Sequence, residues 1–350
     1  MPAPIEMIKD WRDSRIDAVI DVRSPAEFAD DHIAGAINLP VFSNEQRADI
    51  GTIYKQVSSF EARRKGASLV SQNIAAHITE SLSDKPENWR PLIHCWRGGQ
   101  RSRAFAHICA EIGWACFLLE GGYKTYRGAV MDELRAVPEK LDIRLISGAT
   151  GVGKTRLLHA LKAQNAQIID LEDLAAHRGS LLGAMPDNPQ PSQRLFESRL
   201  NEALSQIDQT RPVYLEAESS RIGSIALPKE LWAAMRKAKI IEIEAELSDR
   251  LIMLKHDYPH LLTKDAEALH QLINGMVQRH GYETVNLWQG ALVVGDFDSF
   301  ISQILNDHYD PAYQRTSARH NRVILQKIKL NGSADDDFSD AANNIVLQAN

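Results

Sequence analysis

The segment GATGVGKT, residues 148–155, restricts the fold of this 350-residue chain more than any other feature. It fits the pattern GxxxxGK[ST], with the apolar run LDIRLIS before it and the helical pattern TRLLHALKA after it. A strand, a glycine-rich loop and a helix in this order are typical of a parallel α/β sheet whose loop holds a diphosphate. The predicted diphosphate-binding residues are Gly148, Gly151, Val152, Gly153, Lys154 and Thr155. The Thr155 hydroxyl is also the candidate ligand for Mg²⁺.

Acidic residues end two neighbouring β-branched runs and are candidates to support this loop. QIIDLED offers Asp170, and PVYLEAES offers Glu216 and Glu218. Glu216 is the preferred residue for the shell of a metal or water, whereas Glu218 is equally typical of a solvent-facing strand position. Arg221 follows as a candidate phosphate contact, although an exposed loop arginine fits the same position.

A second candidate anion site surrounds Cys95, which lies between the apolar run PLIH and an amphipathic helical pattern. Glycines let successive backbone amides point inward, and a helix N-terminus adds positive charge, so the pKa of a thiol here is expected to fall. Cys95 is therefore the predicted catalytic residue, rather than a buried structural cysteine. The anion loop comprises Arg97, Gly98, Gly99, Gln100 and Arg101. His94 is interpreted as structural, and Cys109 and Cys116 as packing residues.

The chain alternates strand-like and helix-like segments twice, which predicts two α/β domains with parallel sheets. The segment Glu133–Asp142, with Pro138, is the candidate boundary. The predicted divisions are 1–135, 136–310 and a C-terminal part, 311–350, made of a basic segment and a loose acidic tail. Asp336–Asp340 matches DDxxD, but we interpret that match as accidental because no apolar helical period surrounds it.

Charge and composition limit the classes of partner. The formal net charge is −6, so RNA is expected to meet a local patch rather than a generally basic surface. Arg315, Arg319 and Arg322 are the candidate RNA-binding residues. No apolar run approaches the ~18 residues of a membrane span, and the N-terminal segment lacks the apolar core of a secretory signal. Three cysteines without a CxxC pair predict a cytoplasmic protein with reduced thiols.

Three motifs of the first domain carry a family resemblance. DVRSPAEFADDHIAGAINLP (residues 21–40), HCWRGGQRS (94–102) and LLEGGYKTYR (118–127) resemble a rhodanese domain, whose loop cysteine carries a transferable sulfur. The resemblance implies that Cys95 holds a chalcogen atom. The pattern His-Cys-x5-Arg-Ser also resembles cysteine-dependent phosphatases, some of which share this fold. The loop alone does not separate a transferase from a phosphatase.

The whole chain resembles the tRNA 2-selenouridine synthase family. Matching segments, besides the two loops, are residues 170–183, 190–200, 216–223 and 307–314. The usual acidic residue between Glu216 and Glu218 is Ala217 here. The resemblance implies a rhodanese-like parallel-sheet domain followed by a three-layer α/β domain of the P-loop NTPase type.

This resemblance also implies a reaction and its partners. The wobble 2-thiouridine of tRNA is expected to be S-geranylated with geranyl diphosphate, after which selenium from selenophosphate replaces the S-geranyl group. Cys95 would carry selenium as a selenylsulfide or orient the selenophosphate anion. No tightly bound cofactor is expected, and Mg²⁺ is a candidate ion. An enzyme that produces selenophosphate is a candidate partner. The oligomeric state is left open.

Two other functions fit parts of the sequence. A cysteine-dependent phosphatase would use the second loop as a nucleotide-controlled switch. A small-metabolite kinase would use the first domain only for interactions. The first predicts phosphate release without selenium, and the second predicts ATP turnover that survives loss of Cys95.

Overall fold

The structure, a computed structural model, describes residues 1–179, 183, 185, 187–259, 267–319 and 322–349. Residues 180–182, within the matching segment 170–183, lie outside this set. The chain divides into two compact units. The first contains residues 1–135 and 191–205, and the second contains residues 136–190 and 206–350.

The first unit is built on a five-stranded sheet with the order β1-β5-β4-β2-β3, in which every pair is parallel. Its elements up to residue 136 are β1 (Ile5–Ile8), β2 (Ala18–Asp21), α1 (Pro25–Asp30), β3 (Ile37–Asn38), α2 (Asn44–Gln56), α3 (Ser59–Ser81), β4 (Pro91–His94), α4 (Gln100–Ile112), β5 (Cys116–Leu119) and α5 (Tyr123–Ala136). All four residues of β4 are buried, because it is the central strand. Cys109 and Cys116 are buried in the core, as predicted.

Residues 191–205 correct the predicted domain division, which placed them in the second domain. They form helix α8 (Gln193–Ser205) and belong to the first compact unit. Arg194 Nη1 lies 2.7 Å from Asp30 Oδ2, and Asn201 Nδ2 donates to Glu133 Oε2 at 2.9 Å. The chain therefore returns to the first unit after the second has begun, which continuous sequence boundaries do not capture.

The second unit contains a five-stranded, wholly parallel sheet with the order β12-β11-β6-β8-β7. From residue 143 its elements are β6 (Ile143–Ser147), α6 (Lys154–Ala163), β7 (Gln167–Ile169), α7 (Leu171–Leu174), β8 (Val213–Glu216), β9 (Arg221–Ile222), β10 (Ile225–Ala226), α9 (Lys229–Lys237), β11 (Lys239–Glu244), α10 (Leu247–Asp257), α11 (Glu267–Asn274), α12 (Val277–Val294), α13 (Phe297–Ile304), α14 (Asp310–Arg319), β12 (Ile324–Lys329) and α15 (Asp335–Ala349). A 3₁₀ turn at Pro138–Lys140 precedes β6, and a π-helical turn at Leu305–Tyr309 precedes α14. The predicted α/β class is confirmed.

The prediction of a loose acidic tail is wrong. The acidic segment is the start of α15, which packs against α6. Phe338, inside the DDxxD match, is only 2% exposed, and a Cβ atom at Gly153 would lie 2.6 Å from two of its ring carbons. Arg156 secures this end of the helix, since its Nη2 lies 2.6 Å from Asp335 Oδ1 and its guanidinium lies over the Phe338 ring. The tail is thus part of the core beside the glycine loop.

Helices α11, α12 and α13 form a separate hydrophobic cluster within the second unit. Trp288 is fully buried at its centre, and its indole Nε1 donates to Asp307 Oδ2 at 3.2 Å. Leu254 of α10 and Tyr309 of the π-helical turn pack against the same cluster. The cluster therefore fixes the position of two segments that border the glycine loop. None of the described helices has the length and apolar character needed to cross a membrane.

Candidate functional sites

Cys95 lies directly after β4, at the carboxyl edge of the first sheet, and Gln100 begins α4. The Gly99 amide donates to Cys95 Sγ at 3.2 Å, and Sγ lies 3.3 Å from Ser102 Oγ. The residue is 3% exposed. Parallel sheets bind ligands at this edge, and the loop directs donors at the sulfur. This is the arrangement expected for a stabilised thiolate.

The glycine pair after β5 braces this loop. The Tyr123 amide donates to the Cys95 carbonyl oxygen at 2.9 Å, and the Lys124 amide donates to the Trp96 carbonyl oxygen at 3.1 Å. A Cβ atom at Gly122 would lie 2.2 Å from the Cys95 carbonyl oxygen. Only glycine fits there, which explains why the LLEGGYKTYR motif accompanies the cysteine loop.

The environment of Cys95 lowers its pKa. Burial alone would raise the pKa of this thiol, since it disfavours the charged form. The hydrogen bond with Ser102, the charge of Arg101 and the nearby amides of Ser102 and Arg97 outweigh burial and bring the pKa below its ordinary value. The thiolate is the reactive form of cysteine, so this site favours a nucleophile.

The two loop arginines differ in their surroundings. Arg101 Nη1 donates to Glu27 Oε2 at 2.9 Å, and its side chain is largely buried. Arg97 is exposed, as is Gln100. An anion bound in the loop would compete with Glu27 for the Arg101 guanidinium. The exposed side chain of Arg97 could also contact that anion. Glu27 was not foreseen, because it lies 74 positions away in the sequence.

His94 is structural. Its side chain is fully buried, and neither ring nitrogen has a hydrogen-bond partner among the described residues. Burial lowers the pKa of His94 to about 4, with the nearby carboxylate of Asp21 opposing that effect. The ring is therefore neutral at physiological pH and adds no charge to the loop.

The second site is the glycine loop between β6 and α6. Gly151 and Gly153 have φ values of +80° and +82°, in the left-handed region that favours glycine. Lys154 Nζ donates to the Gly148 carbonyl oxygen at 3.2 Å, and Val152 is buried. The predicted strand, loop and helix are all present, with Lys154 beginning the helix.

Four carboxylates gather beside this loop: Asp170, Glu172, Glu216 and Glu218. Thr155 Oγ1 donates to Glu172 Oε2 at 3.3 Å. A Cβ atom at Gly179 would lie 2.6–2.8 Å from carboxylate oxygens of both Glu218 and Glu172, so those two side chains converge. Sequence reasoning missed Glu172. In the sequence it is the second acidic residue of the segment QIIDLED, three positions after the end of β7.

Glu216 and Asp170, which the sequence also proposed, have hydrogen-bond partners other than Thr155. Glu216 is fully buried, and its Oε2 accepts a hydrogen bond from the Leu171 amide at 3.4 Å. Asp170 caps α7 by accepting from the Asp173 amide at 2.8 Å, and its other oxygen lies 2.8 Å from His159 Nε2. Glu172 therefore contacts Thr155 directly, whereas Glu216 is buried against the start of α7.

Burial and mutual repulsion raise the pKa values of Glu172 and Glu216, which favours their protonated forms. Burial first, and then the charge of Glu218, raise the pKa of Glu172 to about 8, although Lys154 acts in the opposite direction. Burial also raises the pKa of Glu216, with Asp170 and Glu172 adding to the effect. Like charges at close range cannot all ionise, so a bound cation would exchange with these protons.

A cavity of about 600 Å³ opens beside the loop, entirely within the second unit. Its lining residues are Thr150, Gly151, Gly153, Lys154, Thr155, Arg156, His159, Asp170, Glu172, Asp173, Arg178, Gly179, Met185, Glu218, Leu254, Asp257, Tyr258, His308, Tyr309 and Ala312. Arg156 and Arg178 bring two further cations that sequence reasoning missed. Arg221, on β9, does not line this cavity, and its predicted phosphate contact stays a prediction.

The basic C-terminal residues are divided between a helix and a strand. Arg315 is exposed on α14. The side chain of Arg319, which ends this helix, lies outside the described residues. Arg322 precedes β12, and burial lowers its pKa. Lys327 and Lys329 form ion pairs with Glu242 and Glu246 at 2.8 and 2.6 Å. Ion pairs therefore neutralise part of the positive charge that the sequence suggests for this segment. RNA binding stays a prediction.

Comparison with known proteins matches both halves of the chain. Residues 141–335 match the family model of the tRNA 2-selenouridine synthase AAA domain, and residues 5–129 match that of the rhodanese-like domain. The chain is 35% identical to a tRNA 2-selenouridine synthase of Nitrosomonas europaea, over 89% of this chain and 85% of the relative. The chain belongs to the tRNA 2-selenouridine synthase family. The predicted family resemblance and both domain types are confirmed.

Two further members of the tRNA 2-selenouridine synthase family align over similar lengths. The protein of Marinobacter nauticus is 37% identical, with 88% of this chain and 90% of the relative covered. That of Shewanella frigidimarina is 34% identical, with 88% and 91% covered. Both carry the name tRNA 2-selenouridine synthase. The alignment therefore includes the cysteine loop and the glycine loop together.

The raised pKa of Glu172 predicts an unusual dependence of stability on pH. The folded state holds the proton up to about pH 8, whereas the unfolded state releases it near the ordinary value of 4.5. Between these values the folded state binds more protons, so the free energy of unfolding should fall as pH rises. We expect a decline of at most a few kcal/mol, which the substitution Glu172→Gln should reduce.

Urea titrations of the wild-type and Glu172→Gln proteins at about pH 5, pH 6.5 and pH 8 measure this effect. The substitution Glu139→Gln serves as the control, since Glu139 is exposed in the same unit. An identical pH dependence in the Glu172→Gln and wild-type proteins would contradict the proposed protonation of Glu172.

Proposed function

We propose that this protein converts 2-thiouridine at the wobble position of tRNA into 2-selenouridine in two steps. The observation that carries the proposal is the presence in one chain of two anion sites with different chemistry. One holds the Cys95 thiol with a lowered pKa, and the other holds Lys154 in a diphosphate loop. A phosphatase requires only the first site and a kinase only the second, whereas exchange of sulfur for selenium through an alkylated intermediate uses both.

The glycine loop is assigned to the first step, S-geranylation. The C2 sulfur of the base forms a bond with C1 of geranyl diphosphate as the C1–O bond breaks. Diphosphate leaves with the electron pair, and the base loses its N3 proton. Lys154 and Arg178 lie in the same cavity, where positive charge would stabilise the departing diphosphate. Alkylation prepares the base for the second step, because a thioether sulfur leaves more readily than a thiocarbonyl sulfur.

Mg²⁺ is the cofactor that best fits this loop. The Thr155 hydroxyl and the Glu172 carboxylate are hydrogen-bonded neighbours and offer hard oxygen ligands. Mg²⁺ in such sites usually takes its remaining ligands from phosphate and water, so a small protein contribution suffices. When bound, the ion would neutralise charge on the diphosphate. Its entry would displace the proton that Glu172 holds.

The cysteine loop is assigned to the second step, in which selenium replaces the S-geranyl group. A C–Se bond forms at C2 of the base, the C–S bond breaks, and geranyl thiol leaves. Selenium comes from selenophosphate, and water takes up the phosphoryl group. The Gly99 amide and Arg101 surround the Cys95 sulfur and suit an anionic donor. Cys95 serves this step by orienting selenophosphate, because a selenylsulfide would require a two-electron oxidant that neither the protein nor selenophosphate supplies. The mass of Cys95 should therefore be unchanged after exposure to selenophosphate alone.

Further partners follow from the same reaction. The substrate is a tRNA, whose phosphates Arg315, Arg319 and Arg322 are proposed to contact. An enzyme that produces selenophosphate would supply the donor. A cytoplasmic location and a reduced Cys95 are consistent with this chemistry.

Mass spectrometry of nucleosides tests the proposal. A 2-thiouridine anticodon stem-loop is incubated with the protein and geranyl diphosphate, and then with selenophosphate. We expect the base to gain one geranyl group and then exchange it for selenium. Release of phosphate from an aryl phosphate without any change in the base would favour the phosphatase. Turnover of ATP without a change in the base would favour the kinase.

A further inference from the structure

The cavity beside the glycine loop is lined by both polar and apolar residues. The polar residues include Lys154 and Thr155 of the loop, together with the converging carboxylates and Arg178. Leu254, Tyr258, Tyr309 and Ala312 also line the cavity, and we call these four residues the apolar wall, although Asp257 and His308 line the same segments. The wall comes from the end of α10 and from the π-helical turn that leads into α14.

The apolar wall begins at the glycine loop itself. A Cβ atom at Gly151 would lie 2.7 and 2.8 Å from Cδ1 and Cγ of Leu254, so the leucine covers the loop backbone. Leu254 and Tyr309 are both only partly buried, although both pack against the core of α11, α12 and α13. Both residues also line the cavity, so the core reaches the cavity at these two positions.

Arg250 fixes the wall relative to the loop. Its Nε donates to the Thr150 carbonyl oxygen at 2.9 Å. Its two terminal nitrogens donate to the Asp310 carboxylate at 3.0 and 2.7 Å. One buried guanidinium thus joins the glycine loop, α10 and the start of α14. A bidentate pair of this kind sets orientation as well as distance, so the loop and the wall form a single binding site.

We propose that the apolar wall binds the isoprenoid chain of an allylic diphosphate whose diphosphate group lies in the glycine loop. The proposal rests on the proposed S-geranylation and assigns it a substrate-specificity site. An allylic diphosphate carries its charge at one end and hydrocarbon at the other, and the cavity offers Lys154 at the loop and apolar side chains such as Leu254 at the wall. Contact with Leu254 and Tyr309 would remove the chain from water and hold its C1 carbon at the edge of the loop.

The test compares two ligands, geranyl diphosphate and inorganic diphosphate, by calorimetry with Mg²⁺ present. Wild-type protein should bind geranyl diphosphate more tightly, because only that ligand reaches the apolar wall. The substitution Leu254→Ser should weaken the binding of geranyl diphosphate about 10-fold, which corresponds to the loss of roughly 60 Å² of apolar contact. The affinity for inorganic diphosphate should not change. Ile252→Ser is the matched control, since Ile252 lies on the same helix, is 53% exposed and does not line the cavity.

A second variant keeps the test valid if Leu254→Ser protein fails to fold. Ala312→Phe adds bulk to the wall and should exclude the geranyl chain while admitting inorganic diphosphate. If wild-type protein prefers geranyl diphosphate and both variants keep that preference, the wall assignment is overturned while the proposed function stands. If wild-type protein does not prefer geranyl diphosphate, or binds ATP more tightly than either ligand, the proposed function itself fails and the wall assignment with it.

Discussion

Replacing Cys95 with alanine is expected to abolish the incorporation of selenium into tRNA while leaving S-geranylation at the wild-type rate. The Cys95 thiol is the group that the Gly99 amide, Ser102 and Arg101 stabilise, and its replacement removes the sulfur with a lowered pKa from this loop. We expect selenation to fall by roughly 10³-fold or more. Nucleoside mass spectrometry with both substrates should then show geranylated base that accumulates without exchange.

Cys116→Ala provides the control for loss of a thiol. Cys116 is buried on β5 of the same sheet, and its Sγ donates to the Trp114 carbonyl oxygen. This variant should retain both steps, apart from any loss of stability. Selenation by Cys95→Ala protein at the wild-type rate would remove Cys95 from the mechanism. Loss of both steps would instead indicate that the two sites do not act separately.

The sequence predicted the two sheets and both loops because their signals are local. β6, the glycine loop and α6 occupy one continuous segment, as do β4, the cysteine loop and α4. In each case a short buried strand and the glycine spacing act within one continuous segment. Helix α15 escaped prediction although its buried residues Phe338, Ala341, Ala342 and Ile345 follow a helical period. Its acidic beginning and the small size of its alanines concealed that period.

The rest of the sites depends on contacts between distant segments. Glu27 reaches Arg101 across 74 positions, and Arg250 reaches Thr150 across 100. Neither spacing nor composition contains such pairings, since they result from how the helices pack on the sheet. The apolar wall is a clear case. Leu254 and Tyr309 have the residue types of ordinary core positions, and only the fold shows that each also faces a cavity.

Replacing Lys154 with alanine is expected to have the opposite effect to replacing Cys95. The lysine is the cation at the start of α6 that would balance charge on the departing diphosphate, so S-geranylation should fall by roughly 10²- to 10³-fold. Selenation should survive when RNA that is already geranylated is supplied, because the cysteine loop lies in the other compact unit. Lys162→Ala, an exposed change at the far end of the same helix, should affect neither step.

Supplying the alkylated RNA makes this prediction specific to the chemistry of the loop. If Lys154→Ala protein fails with both RNA substrates, the lysine supports folding or RNA binding rather than departure of diphosphate. If it geranylates normally, the leaving group is stabilised elsewhere. Lys154 also lowers the pKa of Glu172. Its loss should therefore leave that carboxyl protonated to higher pH and strengthen the decline in stability with rising pH, which the urea titrations detect without any substrate.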